Sequence, residues 1–394
     1  MEQAYWLAWS QINGIGSVTL KRLWQSFGSL ERAWYADQTQ ITQVHGIGLQ
    51  TWSEIVKARQ TVDPLAVYKQ HCQLNPQFWT PADPQYPRLL LEIPDPPPIL
   101  YWQGQLTQWQ ESQTVAVVGT RHPTKYGRAW AYTLGKALAE NGFVVVSGLA
   151  EGIDGEAHRG CLSSQGQAIA VIGTSLEKIY PPQHRQLLAQ IRSQGLILSE
   201  YPYGTATDKS CFPRRNRIIA GLCRATLVIE APAKSGALIT AHQAIDYGRE
   251  VYALPNSVEI REARGCLELI TKGAGVILGV DELLTSLGSM PYLDRQSEAY
   301  PSPVIPRVSI SSRGNSSLQS SSNSLPTSPP KTSPDLIDPL HQQIWQLLPN
   351  SGSLSLDAIA DQISLPTGQL SAVLLQMELL GIIKNCGGMQ YSRT

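Results

Sequence analysis

The sequence predicts an α/β protein built on an extended parallel sheet, with a helical module in front and a small separate domain behind. Three observations carry this. Short β-branched runs alternate with helix-length stretches through the middle of the chain, the first sixty residues contain no such run, and a segment with hardly an aliphatic residue precedes the last part. The runs lie at residues 115–118, 144–146, 169–172, 196–198, 226–229, 251–254 and 276–278; the stretches 126–140, 184–194 and 238–248 are long enough for crossover helices. Continuous apolar strands separated by helices indicate a sheet covered on both faces. The expectation is a doubly wound, Rossmann-like domain over residues 63–290, with about six or seven strands.

In front of it, residues 1–62 hold two similar pieces, Ile12-Asn13-Gly14-Ile15-Gly16 before Leu20 and Val44-His45-Gly46-Ile47-Gly48 before Trp52. Each reads as helix, Gly-x-Gly hairpin, helix, so the module is expected to contain paired helix-hairpin-helix units. Backbone N–H groups at such helix starts can hold a phosphate. The simpler reading is that the glycines make tight turns in a small bundle. Five basic residues (Lys21, Arg22, Arg32, Lys57, Arg59) against four acidic ones (Glu2, Glu31, Asp37, Glu54) favour the simpler reading.

Behind it, residues 309–333 are mostly Ser, Pro, Asn and Thr and cannot bury enough surface to offset ordering entropy. Residues 291–336 are therefore expected to be a disordered linker, and 337–394 a separate domain. There, 340–348, 356–363 and 369–380 read as three helices, followed by 382–384, a Cys386-Gly387-Gly388 turn and 389–392, the pattern of a winged helix. A DNA-reading winged helix puts its third helix into the major groove. Here 366–380 has no Lys or Arg and carries Glu378, which favours contact with protein over duplex DNA.

The 394 residues balance 31 Lys+Arg against 31 Asp+Glu, which excludes nucleic-acid binding through bulk basicity. No apolar stretch approaches the ~20 residues of a membrane span, so a cytoplasmic protein without a span is expected. The six cysteines form no CxxC pair and the seven histidines no HxxxH or HExxH cluster, so neither metal nor disulfide framework is expected.

Ligands of open parallel sheets sit beyond the carboxyl ends of the strands. The first run ends in Gly119-Thr120-Arg121, the second in Ser147-Gly148-Leu149-Ala150 followed by Gly152-Ile153-Asp154, and the fifth leads through Glu230 to Ser235-Gly236-Ala237. Small residues before helix starts leave amides exposed to anions, and Arg121 adds a bidentate charge, so a phosphate-binding rim is expected. Neither Gly-x-x-x-x-Gly-Lys-Ser/Thr nor Gly-x-Gly-x-x-Gly occurs, and the second run ends in Ser147 with no acid for a ribose hydroxyl. Nicotinamide cofactors and P-loop NTP hydrolysis are thus disfavoured, and no cofactor is assigned.

The densest charge lies in residues 208–224, where Lys209, Arg214, Arg215, Arg217 and Arg224 face Asp208 alone, with Phe212 among them. Cations for phosphates beside a ring for base stacking, worth about 1–3 kcal/mol per base, suit single-stranded nucleic acid. If Pro213 starts a helix, Ile218, Ile219 and Leu222 fall within about a 100° arc that includes Arg215. Arg215 is then expected to be partly buried and internally paired, Arg214 to lie at the arc's edge, and Asn216 and Arg217 to point away. A solvated charged face is the simpler reading, opposed by Phe212 and by the strand-end location. Asp154 and His158 are four apart, but Gly-x-Ser-x-Gly is absent and no catalytic residue is assigned. Asp154 is expected to cap a helix and His158 to pack locally.

In these motifs the sequence closely resembles the DNA-processing protein A family (DprA, also called Smf). The matching text is VAVVGTR at 115–121 with Tyr126-Gly127, VVSGLAEGIDGEAH at 145–158, AVIGTSLEKIYP at 170–181, LSEYP at 198–202, FPRRNRIIAGL at 212–222 and EAPAKSGALIT at 230–240. The resemblance implies a sterile-alpha-motif-like domain in front and a winged helix behind. It also implies a non-enzymatic protein that binds single-stranded DNA, dimerises with itself and loads the RecA recombinase onto incoming strands in natural transformation. Carried over position by position, the DNA pocket falls on Gly119, Thr120, Arg121, Lys209, Phe212, Asn216, Arg217, Ser235 and Gly236, and the charge run adds Arg214. Asn256 stands after Pro255 where the family usually has Gly; Asn tolerates the left-handed backbone region, so the turn can survive. Another class is a Rossmann-like nucleotide phosphoribohydrolase, in which Glu230 and residues 235–237 would hold a nucleoside monophosphate.

Overall fold

The computed structural model describes residues 1–75, 77–105 and 113–288, and in the C-terminal part 339–349, 354–363, 370, 373–374, 377–378, 382–387 and 390–393. The chain divides into two units, Met1–Arg307 and Val308–Thr394. The first unit opens with six helices, α1 (Glu2–Ser10), α2 (Ser17–Phe27), α3 (Leu30–Tyr35), α4 (Gln38–Thr42), α5 (Leu49–Thr61) and α6 (Pro64–Leu74). The two expected hairpins join α1 to α2 and α4 to α5. Gly14 and Gly46 turn them in the left-handed region, at φ 84° and 96°, where a side chain would be strained. The hairpins pack on each other reciprocally: a Cβ at Gly14 would meet Thr51, and one at Gly46 would meet Thr19 and Arg22.

The helices close over a core of Trp6, Trp9, Leu20, Leu23, Leu30, Trp34, Ile41 and Ile55. Four of the module's five cations have partners within the protein. The Lys21 ammonium donates to the carbonyls of Leu91 and Ile93 at 2.8 and 2.7 Å, and Arg22 donates to the His45 carbonyl. Lys57 pairs with Glu54, and Arg59 donates to the carbonyls of Ala33 and Ala36. This favours the structural reading of the glycine turns.

The chain then forms β1 (Phe78–Trp79), α7 (Arg88–Glu92), β2 (Leu100–Gly104), β3 (Thr114–Val118), α8 (Lys125–Glu140), β4 (Val144–Ser147), α9 (Ile153–Ser163), β5 (Ala168–Val171), α10 (Arg185–Gln194) and β6 (Leu196–Ser199). After these come α11 (Cys211–Leu222), β7 (Ala225–Val228), α12 (Gly236–Asp246), β8 (Glu250–Ala253), α13 (Arg264–Thr271), β9 (Gly275–Val276) and α14 (Val280–Gly288). The described strands make one nine-stranded sheet in the order β1-β2-β6-β5-β4-β3-β7-β8-β9. Strands β3 to β9 pair in parallel, with Val115 opposite Val145 on one side and Ala225 on the other. All seven expected strands are present. Two more, β1 and β2, extend the sheet antiparallel beyond β6.

Both faces are covered, as the apolar runs require. Val115, Val117 and Val145 join Leu134, Ile153 and Ile191 on one face, whereas Ala116, Val118 and Val146 join Ile218, Ile219, Ala241 and Leu269 on the other. From β3 the chain winds outward through β4, β5 and β6, then returns to place β7, β8 and β9 on the other flank. The switch point between β3 and β7 is where such a sheet opens a crevice.

In the second unit, α15 (Pro339–Leu347) and α16 (Leu356–Ile363) accompany β10 (Leu354–Ser355), β11 (Ile383–Gly387) and β12 (Gln390–Arg393), an antiparallel sheet in the order β10-β12-β11. Ile344, Leu348, Ile359, Leu374, Met377 and Ile383 form its core. The expected linker, most of the expected third helix, residue 388 of the expected turn and residue 389 of the run after it lie outside the described residues.

Candidate nucleic-acid interface

A cleft of about 980 Å³ lies over the β3/β7 switch point. Its floor begins at Gly119, where a Cβ would fall 2.8 Å from Ile153 Cβ and 2.9 Å from the Glu230 carbonyl, so the turn after β3 admits only glycine. The Thr120 amide donates to the Glu230 carbonyl at 2.6 Å, and the Ile153 amide to the Thr120 carbonyl at 3.2 Å. Gly152, at φ 79°, lets the loop after β4 approach the Thr120 backbone closely. Three strand ends are thereby joined through the backbone, leaving Arg121 exposed at the rim.

Beneath the floor, Arg215 is only 5% exposed. Its guanidinium donates to the Gly148 carbonyl at 2.7 Å and to that of Val171, tying together the loops after β4 and β5. Burial lowers its pKa to about 10, opposed by the Asp154 carboxylate. The phase of α11 had predicted this burial. Asp154 departs from expectation, since α9 is capped at Gly152 and Asp154 stands in its first turn. Its carboxylate accepts the amides of Gly148 and Ala150, at 3.1 and 3.4 Å, and burial raises its pKa. His158 is fully buried, and desolvation lowers its pKa to about 3, helped by His184 and Arg215.

The opening of α11 forms one wall. The Phe212 ring lies on Gly173, where a Cβ would come within 2.8 Å of it. The Arg121 guanidinium is 5.7 Å from the ring centroid, and the Tyr180 ring, itself 48% exposed, is 5.3 Å away at 46°. Lys209, exposed, lines the cleft just before this helix. Across from it, Ser235 caps α12 by accepting the Ala237 amide at 3.3 Å, and Asn216 donates to the Gly236 carbonyl at 3.1 Å.

Gly119, Thr120, Arg121, Lys209, Phe212, Asn216, Ser235 and Gly236 therefore line one cleft. Arg214 and Arg217 do not. Arg214 is exposed outside it. Arg217 corrects the expectation that it points to solvent: it is 8% exposed and pairs with Asp95 at 3.0 Å and Glu200 at 2.6 Å. Both carboxylates come from other segments, so the face of α11 opposite the cleft is also covered. Sequence reasoning missed Tyr180, Lys234, Arg261 and Arg264, all of which line the cleft. The signal for the first two was present, since they fall inside motifs already quoted. The last two alternate with glutamates, which hides them in a neutral segment.

Glu230 is sealed beneath α8. Its carboxylate accepts the Thr124 amide at 2.8 Å, the Thr124 hydroxyl at 2.6 Å and Asn256 Nδ2 at 3.4 Å. That occupancy weighs against a nucleotide-cleaving role for Glu230. Asn256 is not left-handed; among the described non-glycine residues only Leu149 and Gln165 have positive φ. It instead fixes its turn through its side chain, which also accepts the Ser257 amide at 2.8 Å. Among the described residues no helix is long and apolar enough to cross a membrane, and no group of three His, Cys, Asp or Glu residues could hold a metal.

Fold and cleft define a Rossmann-like α/β protein with a cation-lined, ring-bearing crevice at its topological switch point. The chain belongs to the DNA recombination-mediator protein A family, whose model matches residues 77–288; the DprA winged helix domain model matches residues 326–389. It is 46% identical over 407 residues to protein Smf of Synechocystis sp., covering all of this chain and 99% of that one. The X-ray structure of DNA processing protein A from Streptococcus pneumoniae is similar at 34% identity and TM-score 0.63, over 72% of this chain and 97% of that one. A structure of the Helicobacter pylori protein, described for its single-stranded DNA binding mode, is 32% identical with TM-score 0.49, over 54% of this chain and 95% of that one.

Proposed function

We propose that the chain binds single-stranded DNA in this cleft. Arg121, Lys209 and the amides of Gly119 and Gly236 face phosphates, the Thr120 and Ser235 amides being engaged by the carbonyls of Glu230 and Pro232, and Phe212 stacks on a base. Arg214 adds to the positive field outside the cleft, and Arg217 acts through the fold by holding α11. The observation that supports this reading most is the convergence of cations from separate loops beside a half-buried ring at the switch point. That combination suits a flexible strand, whose phosphates need charge and whose bases offer π faces. We further propose that the protein acts in the cytoplasm as a homodimer that loads RecA recombinase onto incoming DNA in transformation, without catalysis of its own.

The test is retention of labelled oligo(dT) at low salt by Arg121→Ala/Lys209→Ala. Binding is expected to be abolished, and acceleration of RecA assembly lost with it. Retention equal to that of the unaltered chain overturns the site.

A further inference from the structure

Past the loop after β7, the cleft continues to the segment after β8. Charges alternate there as Glu259, Arg261, Glu262 and Arg264, and they sum to zero. The fold separates them. A 3-10 turn, Arg261–Ala263, runs directly into α13, and the three-residue spacing brings both arginines to the cleft while neither glutamate lines it. Val258, 70% exposed, and Ile260 line the same stretch and offer apolar surface. Both arginines are exposed, and among the described residues neither takes part in an ion pair.

Tyr180 follows β5 and Arg261 follows β8, which stand four strand spacings apart in the sheet. At ~4.8 Å per spacing the edge between them is about 19 Å, longer than one phosphate group.

We propose that Arg261 and Arg264 form a second phosphate contact at the β8 end of the cleft. One DNA strand then crosses the switch point with its backbone held at Arg121 and Lys209 on one side and at α13 on the other. This rests on the single-stranded DNA reading of the cleft and extends it to residues outside that assignment.

The experiment measures oligo(dT) affinity of the full-length protein against salt concentration. For single strands the slope of log K on log salt is about −0.7 per phosphate neutralised. Arg261→Gln/Arg264→Gln is expected to make the slope shallower by ~1.4 and to weaken binding about 25-fold at 0.1 M salt, with the difference vanishing near 1 M. Arg261→Lys/Arg264→Lys restores the slope. Glu259→Gln/Glu262→Gln leaves it unchanged, because those side chains lie off the cleft. An unchanged slope in Arg261→Gln/Arg264→Gln, while Arg121→Ala/Lys209→Ala abolishes binding, overturns the second contact and leaves the cleft reading standing. If the glutamate variants strengthen binding as much as the arginine variants weaken it, the effect is bulk charge and the proposal fails. If Arg121→Ala/Lys209→Ala and Arg261→Gln/Arg264→Gln both bind normally, the cleft reading falls with it.

Discussion

Phe212 is held on Gly173 and flanked by Arg121 and Tyr180, so the ring is already ordered before any base reaches it. Its place in the cleft was legible because an aromatic residue inside a run of cations has no apolar stripe to complete. Arg215 was legible too, since the phase of α11 put it with Ile218, Ile219 and Leu222. Arg217 was not: its partners Asp95 and Glu200 lie in segments that only the fold brings alongside. His158 supplies a residue-scale prediction. Its pKa falls from 6.5 to about 3 on folding, so the native state keeps it neutral and binds fewer protons there than the unfolded chain. Its contribution is complete above the unfolded pKa and is lost as pH drops through the window from 6.5 toward 3. Urea unfolding between pH 7 and 4 should show stability falling, with His158 contributing at most ~1.4 kcal/mol per pH unit. His158→Asn should have a shallower pH slope, and an identical slope would remove His158 as a cause.

Helices α8 and α9 meet backbone to backbone, and glycines make that possible. A Cβ at Gly135 would lie 2.2 Å from the Ala157 carbonyl oxygen, and one at Gly160 would lie 2.0 Å from that of Tyr132. Neither contact can be relieved by rotating a side chain, so Gly160→Ala must push the helices apart. Overpacking of this kind typically costs ~1–3 kcal/mol, read as a lower urea midpoint at unchanged m-value. An unshifted midpoint would contradict the close approach. At this scale the seven parallel strands were legible from their apolar runs, because burial on both faces leaves no alternation to blur them. Strands β1 and β2 were not. The first has two residues, and the second follows a proline-rich stretch and is buried only at Leu100 and Tyr101.

Across the whole molecule the neutral charge total conceals a sorting by place. Four of the five cations of the N-terminal helices are engaged within the protein, Arg217 is paired off, and Arg121, Lys209, Lys234, Arg261 and Arg264 line the cleft at the switch point. All the cleft residues belong to Met1–Arg307, and residues 366–380 of the other unit contain no Lys or Arg. A chain ending at Arg307 is therefore expected to keep both affinity and salt slope for oligo(dT) in a polarisation titration. A loss of most of the affinity would move part of the interface to the C-terminal unit. The order of a helical module, a parallel sheet and a small C-terminal domain was legible from the apolar runs and from the compositional break between them and the last part. The sorting was not, since it depends on which side of a turn each charge falls.

Arg215 grips carbonyl oxygens, and every amino acid has one. The two loops that it joins can therefore drift in sequence without losing the clamp, with one exception: at residue 148 a Cβ would stand 2.5 Å from the guanidinium. Arg215 and Gly148 thus depend on each other: a side chain at 148 displaces the guanidinium, and without the guanidinium the carbonyls of Gly148 and Val171 lose the donor that they share.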